Sequence, residues 1–455
     1  MKKHSKTTIT TIIFLIIILL ALLIGDMGDN IRALIRILEA PGLLLTDPLG
    51  INRDYGGNLN GLILNTFLTT GLSLLVVKFS KTPFEGVIIA SIFTVAGFTF
   101  IGKNLLNVIP LYLGVMLYSK FKNVELKNSM AALLLSSGIA PIVSYLLFGI
   151  GVSHIPIGIR IPMAISVGVA TGFLIPIVAV QALKFHAGFN LYNVGFTMGL
   201  LAVGAHGILR SFGIHVQPVG VPLEGYPDYT LFLMTAIVIL SVGMIILAFI
   251  IDKDVVQKYK LILAETGQLS ANFSQIAGQA ATILNMGIMG LMSLVLVVPV
   301  LIIVGIPFLS ILVAGVITII GFAAFGKHPA NTLPIFAGTM IGFFVIKTID
   351  SPFTTLIPSN NPYGAYRSSI NIHAYTCAIF FATCLAPISK KYGWVAGIIA
   401  GFFHMMIVVL GGNFQGGFNL YNNGWVAGFV AGILVPIFEA LKRDPKTPDL
   451  KLSKN

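Results

Sequence analysis

Apolar runs separated by short polar connections extend along the whole chain. A run of about 20 apolar residues is long enough to cross a bilayer as a helix. The pattern therefore predicts an all-α, polytopic membrane protein with about 14 transmembrane helices. The predicted spans are 8–25, 57–77, 83–101, 105–119, 129–150, 161–183, 189–209, 229–251, 280–303, 307–325, 330–348, 370–388, 393–411 and 418–440.

Composition and charge agree with this prediction. The chain is 56% hydrophobic and 10% charged, whereas soluble domains carry about 25% charged residues. Its net charge of +12 comes from Lys and Arg in the short connections, so it indicates cytoplasmic loops and not a nucleic-acid partner. We expect the protein to lie in the cell membrane with both termini in the cytoplasm. In this orientation the basic clusters all lie on the cytoplasmic side, at 78–81, 120–127, 253–260, 390–391 and 442–454.

The N-terminal region is the exception to this orientation. The run 8–25 is followed by GDMGDN and not by a small-residue cleavage site, so we expect a retained first span. The next segment would lie outside although it carries Arg32, Arg36 and Arg53. Within it, NIRALIRILEAPGLLL has apolar residues at helical spacing and predicts a short amphipathic helix in the membrane interface.

The chain contains an internal repeat. The octapeptide GFNLYNVG at 188–195 returns as GFNLYNNG at 417–424, a shift of 229. Residues 94–116 match 318–340 at nine of 23 positions with a shift of 224, and VGVATGF at 167–173 aligns with AGIIAGF at 396–402. These blocks predict two membrane repeats of about six spans each.

The repeats define five regions. Residues 1–56 are predicted to form an N-terminal span with an interfacial segment, and residues 57–209 the first repeat. Residues 210–279 are predicted to form a linker span with a cytoplasmic loop, residues 280–441 the second repeat, and residues 442–455 a cytoplasmic tail. The second repeat begins an odd number of spans after the first, which predicts inverted topology and a solute site between the repeats near the midplane. One re-entrant run between them would instead make the repeats parallel.

A shared pattern, G-K-x-x-x-N-x-[IL]-P, occurs at 102–110 and 326–334 and predicts a broken junction between helices. Lys103 and Lys327 either snorkel to lipid headgroups or present cations to an anionic or polar solute. Snorkelling does not account for the asparagine four residues later in both copies, Asn107 and Asn331.

The octapeptides add two pairs of asparagines. If the octapeptides are helical, Asn190 and Asn193 share one face, as do Asn419 and Asn422. Carboxamides supply donors and acceptors without a charge. These side chains either cap and join helices or line a polar route at the start of a half-helix. In either case, the glycines before them in AGFN and QGGFN favour a broken entry to the helix.

Ionisable residues inside apolar runs are functional candidates. Among Glu85, His186, His206, His328, His404 and Glu439, we expect Glu85 and His404 to be buried, and either could couple transport to protons. The scarcity of carboxylates in the apolar runs disfavours a proton relay built of acids. Sodium held by backbone carbonyls is an alternative.

The polar segment 349–373 reads as an outer loop, either a gate or a plain insertion. Cys377 and Cys384, seven apart in one run, are expected to pack without bridging.

Catalytic motifs do not stand out. The sequence lacks a phosphate-binding G-x-x-x-x-G-K-[ST] loop, H-E-x-x-H and G-x-S-x-G, and has no Cys/His cluster at metal spacing. We therefore expect no enzyme activity, no metal and no cofactor.

The length, the spans and the repeated GK…N..P and FNLYN blocks resemble an uncharacterised family of bacterial polytopic membrane proteins, known only as a domain of unknown function. That resemblance implies no activity and no site residues. A weaker architectural similarity is to urea transporters, which also pair two inverted halves around a polar pore, and it implies a channel for a neutral solute.

These features predict a membrane transporter or permease for a small polar or anionic solute. Two other functions fit the same pattern: a passive channel for a neutral polar solute, and a membrane-embedded enzyme or assembly partner. The expected partners are the lipid bilayer, the solute and a coupling ion, proton or sodium, and a homo-oligomer is compatible with them. The predicted solute-binding residues are Lys103, Asn107, Asn190, Asn193, Lys327, Asn331, Asn419 and Asn422.

Overall fold

A computed structural model describes residues 26–40, 58–216, 227–269, 271–303, 310–353 and 375–442. These residues form helices and turns, with one isolated antiparallel bridge between Asn272 and Phe325 and no longer strand in the described ranges. The all-α prediction is confirmed. The predicted first span, 8–25, and most of the predicted outer loop lie outside the described residues.

The described ranges contain eighteen α-helices and five short 3₁₀ helices. Those before and within the first repeat are α1 (Met27–Glu39), α2 (Leu59–Phe79), α3 (Val87–Phe98), α4 (Leu105–Phe121), α5 (Met130–Ser136), α6 (Pro141–Phe148), α7 (Ile157–His186) and α8 (Asn193–Ser211). The others are α9 (Pro227–Ile251), α10 (Val255–Ala264), α11 (Phe273–Ile276), α12 (Gly278–Ile303), α13 (Ser310–Phe322), α14 (Pro329–Phe353), α15 (375–381), α16 (Ala386–Tyr392), α17 (Trp394–Phe414) and α18 (Asn422–Leu441).

Eight stretches of the described chain are long and apolar enough to cross a membrane, which fits a multi-pass membrane protein. They are Leu59–Phe79, Leu126–Phe148, Ile157–His186, Asn193–Ser211, Phe232–Ile251, Gly278–Pro299, Pro329–Ile346 and Asn422–Leu441. Four further apolar helices are shorter, among them α3 with 12 residues. Such a helix extends about 18 Å, well below the roughly 30 Å of a bilayer core. The predicted count of fourteen spans is therefore not confirmed.

The amphipathic helix predicted near the N-terminus is present as α1. The Asp26 carboxylate caps it by accepting a hydrogen bond from the backbone N–H of Asp29 at 2.9 Å. Its buried side packs on α2, where a Cβ added to Gly61 would lie 2.6 Å from the Ala33 Cβ. The helix is thus docked on the core of the first half.

Equivalent helices pack in the same way in the two halves. The α4 helix crosses α7, and its counterpart α14 crosses α17. Both crossings depend on glycine, since a Cβ on Gly114 would lie 2.2 Å from the Val169 carbonyl oxygen and one on Gly338 would lie 2.1 Å from that of Ile398. Small residues allow this close approach between membrane helices. The α3 helix packs directly on its own counterpart, α13, at the boundary between the halves.

Two helix boundaries differ from the predicted ones. The octapeptides are not helical throughout, because α8 begins only at Asn193 and α18 at Asn422. Gly188 and Gly417 have positive φ angles (78° and 75°), which interrupt the helical conformation before α8 and α18. Asn190 and Asn419 therefore share no helix face with the asparagines three residues later. In addition, the predicted outer loop does not begin at 349, since α14 continues to Phe353.

Candidate functional site

The G-K-x-x-x-N-x-[IL]-P pattern forms a broken junction in each half, as predicted. After α3, a short 3₁₀ turn leads to Gly102, whose φ of 123° reverses the chain before α4 begins. After α13, Gly326 has a φ of 89° and α14 begins at Pro329. Each junction places its lysine between the ends of two helices.

A buried asparagine on the first helix of each half binds the free carbonyl groups of the junction. The Asn65 amide donates to the backbone oxygens of Lys103 at 2.8 Å and Thr99 at 3.3 Å. The Asn285 amide donates to those of Lys327 and Ala323, both at 2.7 Å. These bonds satisfy carbonyls that a broken helix leaves without partners.

Asn107 and Asn331 close the junctions from within. The Asn107 carboxamide accepts from the Asn104 backbone N–H at 3.0 Å and donates to the Gly102 carbonyl at 3.0 Å. The Asn331 carboxamide makes the equivalent bonds to the His328 N–H at 3.0 Å and the Gly326 carbonyl at 2.9 Å. Both carboxamides are engaged by the junctions that they brace.

Lys103 and Lys327 are fully buried, at 0% exposure, so they do not snorkel to the surface. The Lys103 ammonium donates to the Tyr421 hydroxyl and lies 4.4 Å from the centroid of that ring. The Lys327 ammonium donates to the Tyr192 hydroxyl at 2.6 Å and to the Thr383 hydroxyl at 2.7 Å. The lysine of each half therefore binds the octapeptide tyrosine of the other half.

Neither lysine has a carboxylate partner in the part of the chain that the structure describes. The ion pairs there involve surface residues, such as Lys258 with Asp252 at 2.5 Å. No Asp or Glu is among the buried side chains of the described ranges. Because a charged group in a membrane protein is costly to bury, two such lysines mark a functional candidate.

The first asparagine of each octapeptide joins the two halves. The Asn190 amide donates to the Gly424 carbonyl at 2.8 Å, and the Asn419 amide donates to the Gly195 carbonyl at 3.1 Å. The oxygen of each also accepts from the backbone N–H of the tyrosine two residues later, at 2.9 Å in both cases. These asparagines therefore hold the halves together and fix the tyrosines that meet the lysines.

The second asparagine of each octapeptide ties its helix to the preceding one. The Asn193 amide donates to the Ala179 carbonyl of α7 at 3.1 Å, and the Asn422 amide donates to the Val408 carbonyl of α17, also at 3.1 Å. Their oxygens lie 3.0 Å from His186 Nε2 and 2.8 Å from Gln415 Nε2, respectively. Both asparagines thus act inside one half.

A small cavity lies where the halves meet. Its volume is about 20 Å³, enough for about one water molecule. None of the eight predicted solute-binding residues lines the cavity. The two tyrosines that bind Lys103 and Lys327 do line it. The lining residues are Thr94, Phe98, Leu135, Tyr192, Gly195, Thr318, Phe322, Phe381, Leu420, Tyr421, Asn423 and Gly424.

The two proposed coupling residues differ in position. Glu85 is only half-buried and accepts from the Gln275 amide at 3.1 Å, so the prediction that it is buried is wrong. His404 is buried, as predicted, and its Nε2 lies 2.8 Å from the Asn423 Oδ1. Because Asn423 lines the cavity, His404 is one residue removed from it.

The two cysteines are buried and unbridged, as predicted. Within the described residues, no group of three or more His, Cys, Asp or Glu side chains could hold a metal ion. The arrangement brings together two lysine ammonium groups, two phenol hydroxyls and an apolar enclosure.

Sequence reasoning missed the residues that line the cavity, although the repeat contains a signal for them. Thr94 matches Thr318, Phe98 matches Phe322 and Tyr192 matches Tyr421 in the aligned blocks. Each of these identities was as visible as the lysine and asparagine matches. A search of the repeat for every matched polar or aromatic side chain would have found them.

Comparison with known proteins identifies a family for the chain. No curated protein and no solved structure matches the chain, so the similarity to urea transporters has no support. One family matches most of the chain, over residues 27–211, 251–359 and 363–440, and its description is "Protein of unknown function (DUF1576)". The chain belongs to this uncharacterised family of helical, membrane-type proteins.

Proposed function

We propose that this protein is a membrane transporter for a small polar or anionic solute, with its site in the cavity between the two halves. The observation that supports the proposal most strongly is the reciprocal contact of Lys103 with Tyr421 and of Lys327 with Tyr192. Buried cations without a carboxylate partner are costly in a membrane protein, so two of them behind the tyrosines that line a cavity suit a polar or anionic solute.

The crossed contacts also suggest how such a site would open. Each lysine belongs to one half and its tyrosine to the other. A rocking motion of one half against the other would break both bonds and widen the cavity between them. Alternating access in many repeat-built transporters uses this kind of motion.

Inverted topology is part of the proposal. The odd number of predicted spans between the repeats favours a two-fold axis in the membrane plane, with both termini in the cytoplasm of a cell-membrane protein. Ser153 is exposed in the connection before α7, and Lys391 is exposed in the last turn of α16, beside the equivalent connection before α17. Inverted repeats place these two connections on opposite faces, and parallel repeats place them on the same face.

The topology is tested with an impermeant thiol reagent on intact cells, using Ser153→Cys and Lys391→Cys. We expect Ser153→Cys to be labelled in intact cells and Lys391→Cys only after permeabilisation. Labelling of both variants from the same side would overturn the inverted arrangement. The buried Cys377 and Cys384 make the unmodified protein a suitable blank.

The transport activity is tested by comparing metabolites that accumulate in cells with and without the protein, followed by uptake into vesicles that contain the purified protein. We expect saturable uptake of one solute. Lys327→Ala should abolish it while membrane insertion is retained, and Lys184→Ala, on the exposed side of α7, should leave it unchanged. Normal uptake by Lys327→Ala would contradict the site, and non-saturable uptake would indicate a channel.

A further inference from the structure

We infer that the central cavity is an anion site, contacted by the Tyr192 and Tyr421 hydroxyls and compensated by Lys103 and Lys327, with a small dianionic oxyanion as the favoured ligand. This inference rests on the proposed function and names its substrate class. It assigns the tyrosines as the contacting groups and the lysines as the source of charge behind them.

The count of charges leads to a dianion. Each half contributes one fully buried lysine, and no described Asp or Glu is buried to balance it. The two sites are equivalent, because Lys103 approaches Tyr421 and Phe98 at 4.4 and 5.3 Å from the ring centroids, and Lys327 approaches Tyr192 and Phe322 at 4.5 and 5.2 Å. When both lysines are protonated, their two positive charges lie behind the tyrosines that line the cavity, and a ligand with two negative charges balances them.

The tyrosines are placed to contact that ligand. Both line the cavity, whereas neither lysine does. Because each hydroxyl oxygen accepts a hydrogen bond from an ammonium, its own O–H is polarised and becomes a stronger donor. Backbone bonds from Asn190 and Asn419 fix the two tyrosines, so the donors are held before the ligand arrives.

The cavity contains a further polar group without a partner. The Thr318 hydroxyl lines it and is 1% exposed, and no described atom forms a hydrogen bond with it. Buried hydroxyls in proteins are normally paired. An oxyanion would provide the missing acceptor, and the counterpart Thr94 already donates to the Ala90 carbonyl at 2.7 Å. The present cavity holds about one water, so the halves must separate slightly to admit the ligand.

The test is binding to the purified protein in detergent, which is independent of transport. The probes are two dianions, sulfate and succinate, and two monoanions, nitrate and acetate, followed by calorimetry and by the shift in unfolding temperature. We expect at least one dianion to bind roughly tenfold or more tightly than its matched monoanion. Tyr192→Phe and Tyr421→Phe should each weaken that binding about tenfold, as for one hydrogen bond to a charged ligand.

The lysine variants supply a readout that a merely structural role would not change. Lys103→Met and Lys327→Met each remove one charge, so each should reduce or reverse the preference for the dianion over the monoanion. Tyr118→Phe is the matched control, because Tyr118 packs on Phe173 away from the cavity, and its affinities should equal those of the unmodified protein.

Three results would overturn the inference: no binding of any of the four probes, equal affinity for dianions and monoanions, or tyrosine variants that bind normally. Tyrosine variants keep the test valid if a lysine variant does not fold. Dianion binding without flux in vesicles would leave the anion site standing and remove the transport proposal. Flux of a neutral solute without anion binding would do the reverse.

Discussion

The two lysine junctions share one architecture, but different surface helices cover them. In the first, the residue after the lysine is Asn104, whose amide donates to the Ile37 carbonyl at the end of α1, at 3.1 Å. In the second, it is His328, whose Nε2 lies 2.9 Å from the Glu265 carbonyl at the end of α10. Different side chains thus make the same kind of contact, which makes α1 and α10 counterparts. The correspondence between the halves therefore extends to helices that precede the repeated sequence blocks.

The halves also differ at the cavity itself. In the second half, His404 contacts Asn423, which lines the cavity. At the shift of 229, the equivalent positions in the first half are Ile175 and Val194. The tyrosines and threonines around the cavity are matched in pairs, whereas this polar pair is present on one side only. The site is thus nearly symmetric in its donors and asymmetric in its single nearby imidazole.

The largest loss of stability is expected at the two equivalent helix crossings. Gly338→Ala would place a Cβ 2.1 Å from the Ile398 carbonyl oxygen, and Gly114→Ala would place one 2.2 Å from that of Val169. Backbone atoms cannot yield as a flexible side chain would, so we expect each to cost about 3 kcal/mol of unfolding free energy. Denaturant unfolding in detergent measures it, with Gly204→Ala, which meets nothing within 4 Å, as the control. A stable Gly338→Ala protein would contradict the crossing.

The next effect concerns the asparagines that bind the junction carbonyls. Asn65→Ala and Asn285→Ala each remove two hydrogen bonds to junction carbonyl groups. We expect a loss of about 2 kcal/mol in either half, measured by the same unfolding titration. A large loss in one half and none in the other would show that the two junctions are not equivalent. Ser153→Ala, in an exposed connection, is the control.

A smaller effect is expected at the clamp between the octapeptides. Asn190→Ala and Asn419→Ala each remove one hydrogen bond to the opposite half and one to a tyrosine N–H. Each should cost about 1 to 2 kcal/mol. Both variants should also weaken solute uptake, because the tyrosine positions relax. Variants that lose stability but retain full uptake would separate the clamp from the site.

The smallest effect sharpens the comparison of the surface helices. His328→Asn introduces the residue that the first half uses at the equivalent position. We expect it to change stability by less than about 1 kcal/mol, and His328→Ala to cost more, since the Glu265 carbonyl then loses its partner. If His328→Asn is as disruptive as His328→Ala, the two junction covers are not interchangeable.

Much of the fold could be predicted from the sequence, because apolar runs and the repeat are local signals. The glycine of G-K-x-x-x-N-x-[IL]-P predicted the broken junctions for a physical reason, because glycine adopts the positive φ found at Gly102 and Gly326. The prolines of the pattern, Pro110 and Pro334, lie inside α4 and α14 and do not interrupt them. The glycines before FNLYN predicted a broken entry to α8 and α18, and the positive φ angles of Gly188 and Gly417 agree with it. The first turns were placed too early because apolarity continues through Phe189 and Leu191.

The site was only partly predictable. Matched positions show which residues are equivalent, but not which of them touch. Lys103 and Tyr421 are 318 residues apart, and nothing in the local sequence of either one indicates the other. The burial of Lys327 and the partial burial of Glu85 likewise depend on packing that the hydropathy of the neighbouring residues does not reveal. Contacts between halves, and therefore the cavity, required the structure.

Double-mutant cycles on the lysines and tyrosines test the central claim most directly, with unfolding free energy as the readout. Residues in contact couple by about 0.5 to 3 kcal/mol, whereas separated residues add independently. We predict coupling for Lys327→Met with Tyr192→Phe and for Lys103→Met with Tyr421→Phe. The pairs within one half, Lys103 with Tyr192 and Lys327 with Tyr421, should be additive. Additive crossed pairs, or coupling found only within the halves, would contradict the account.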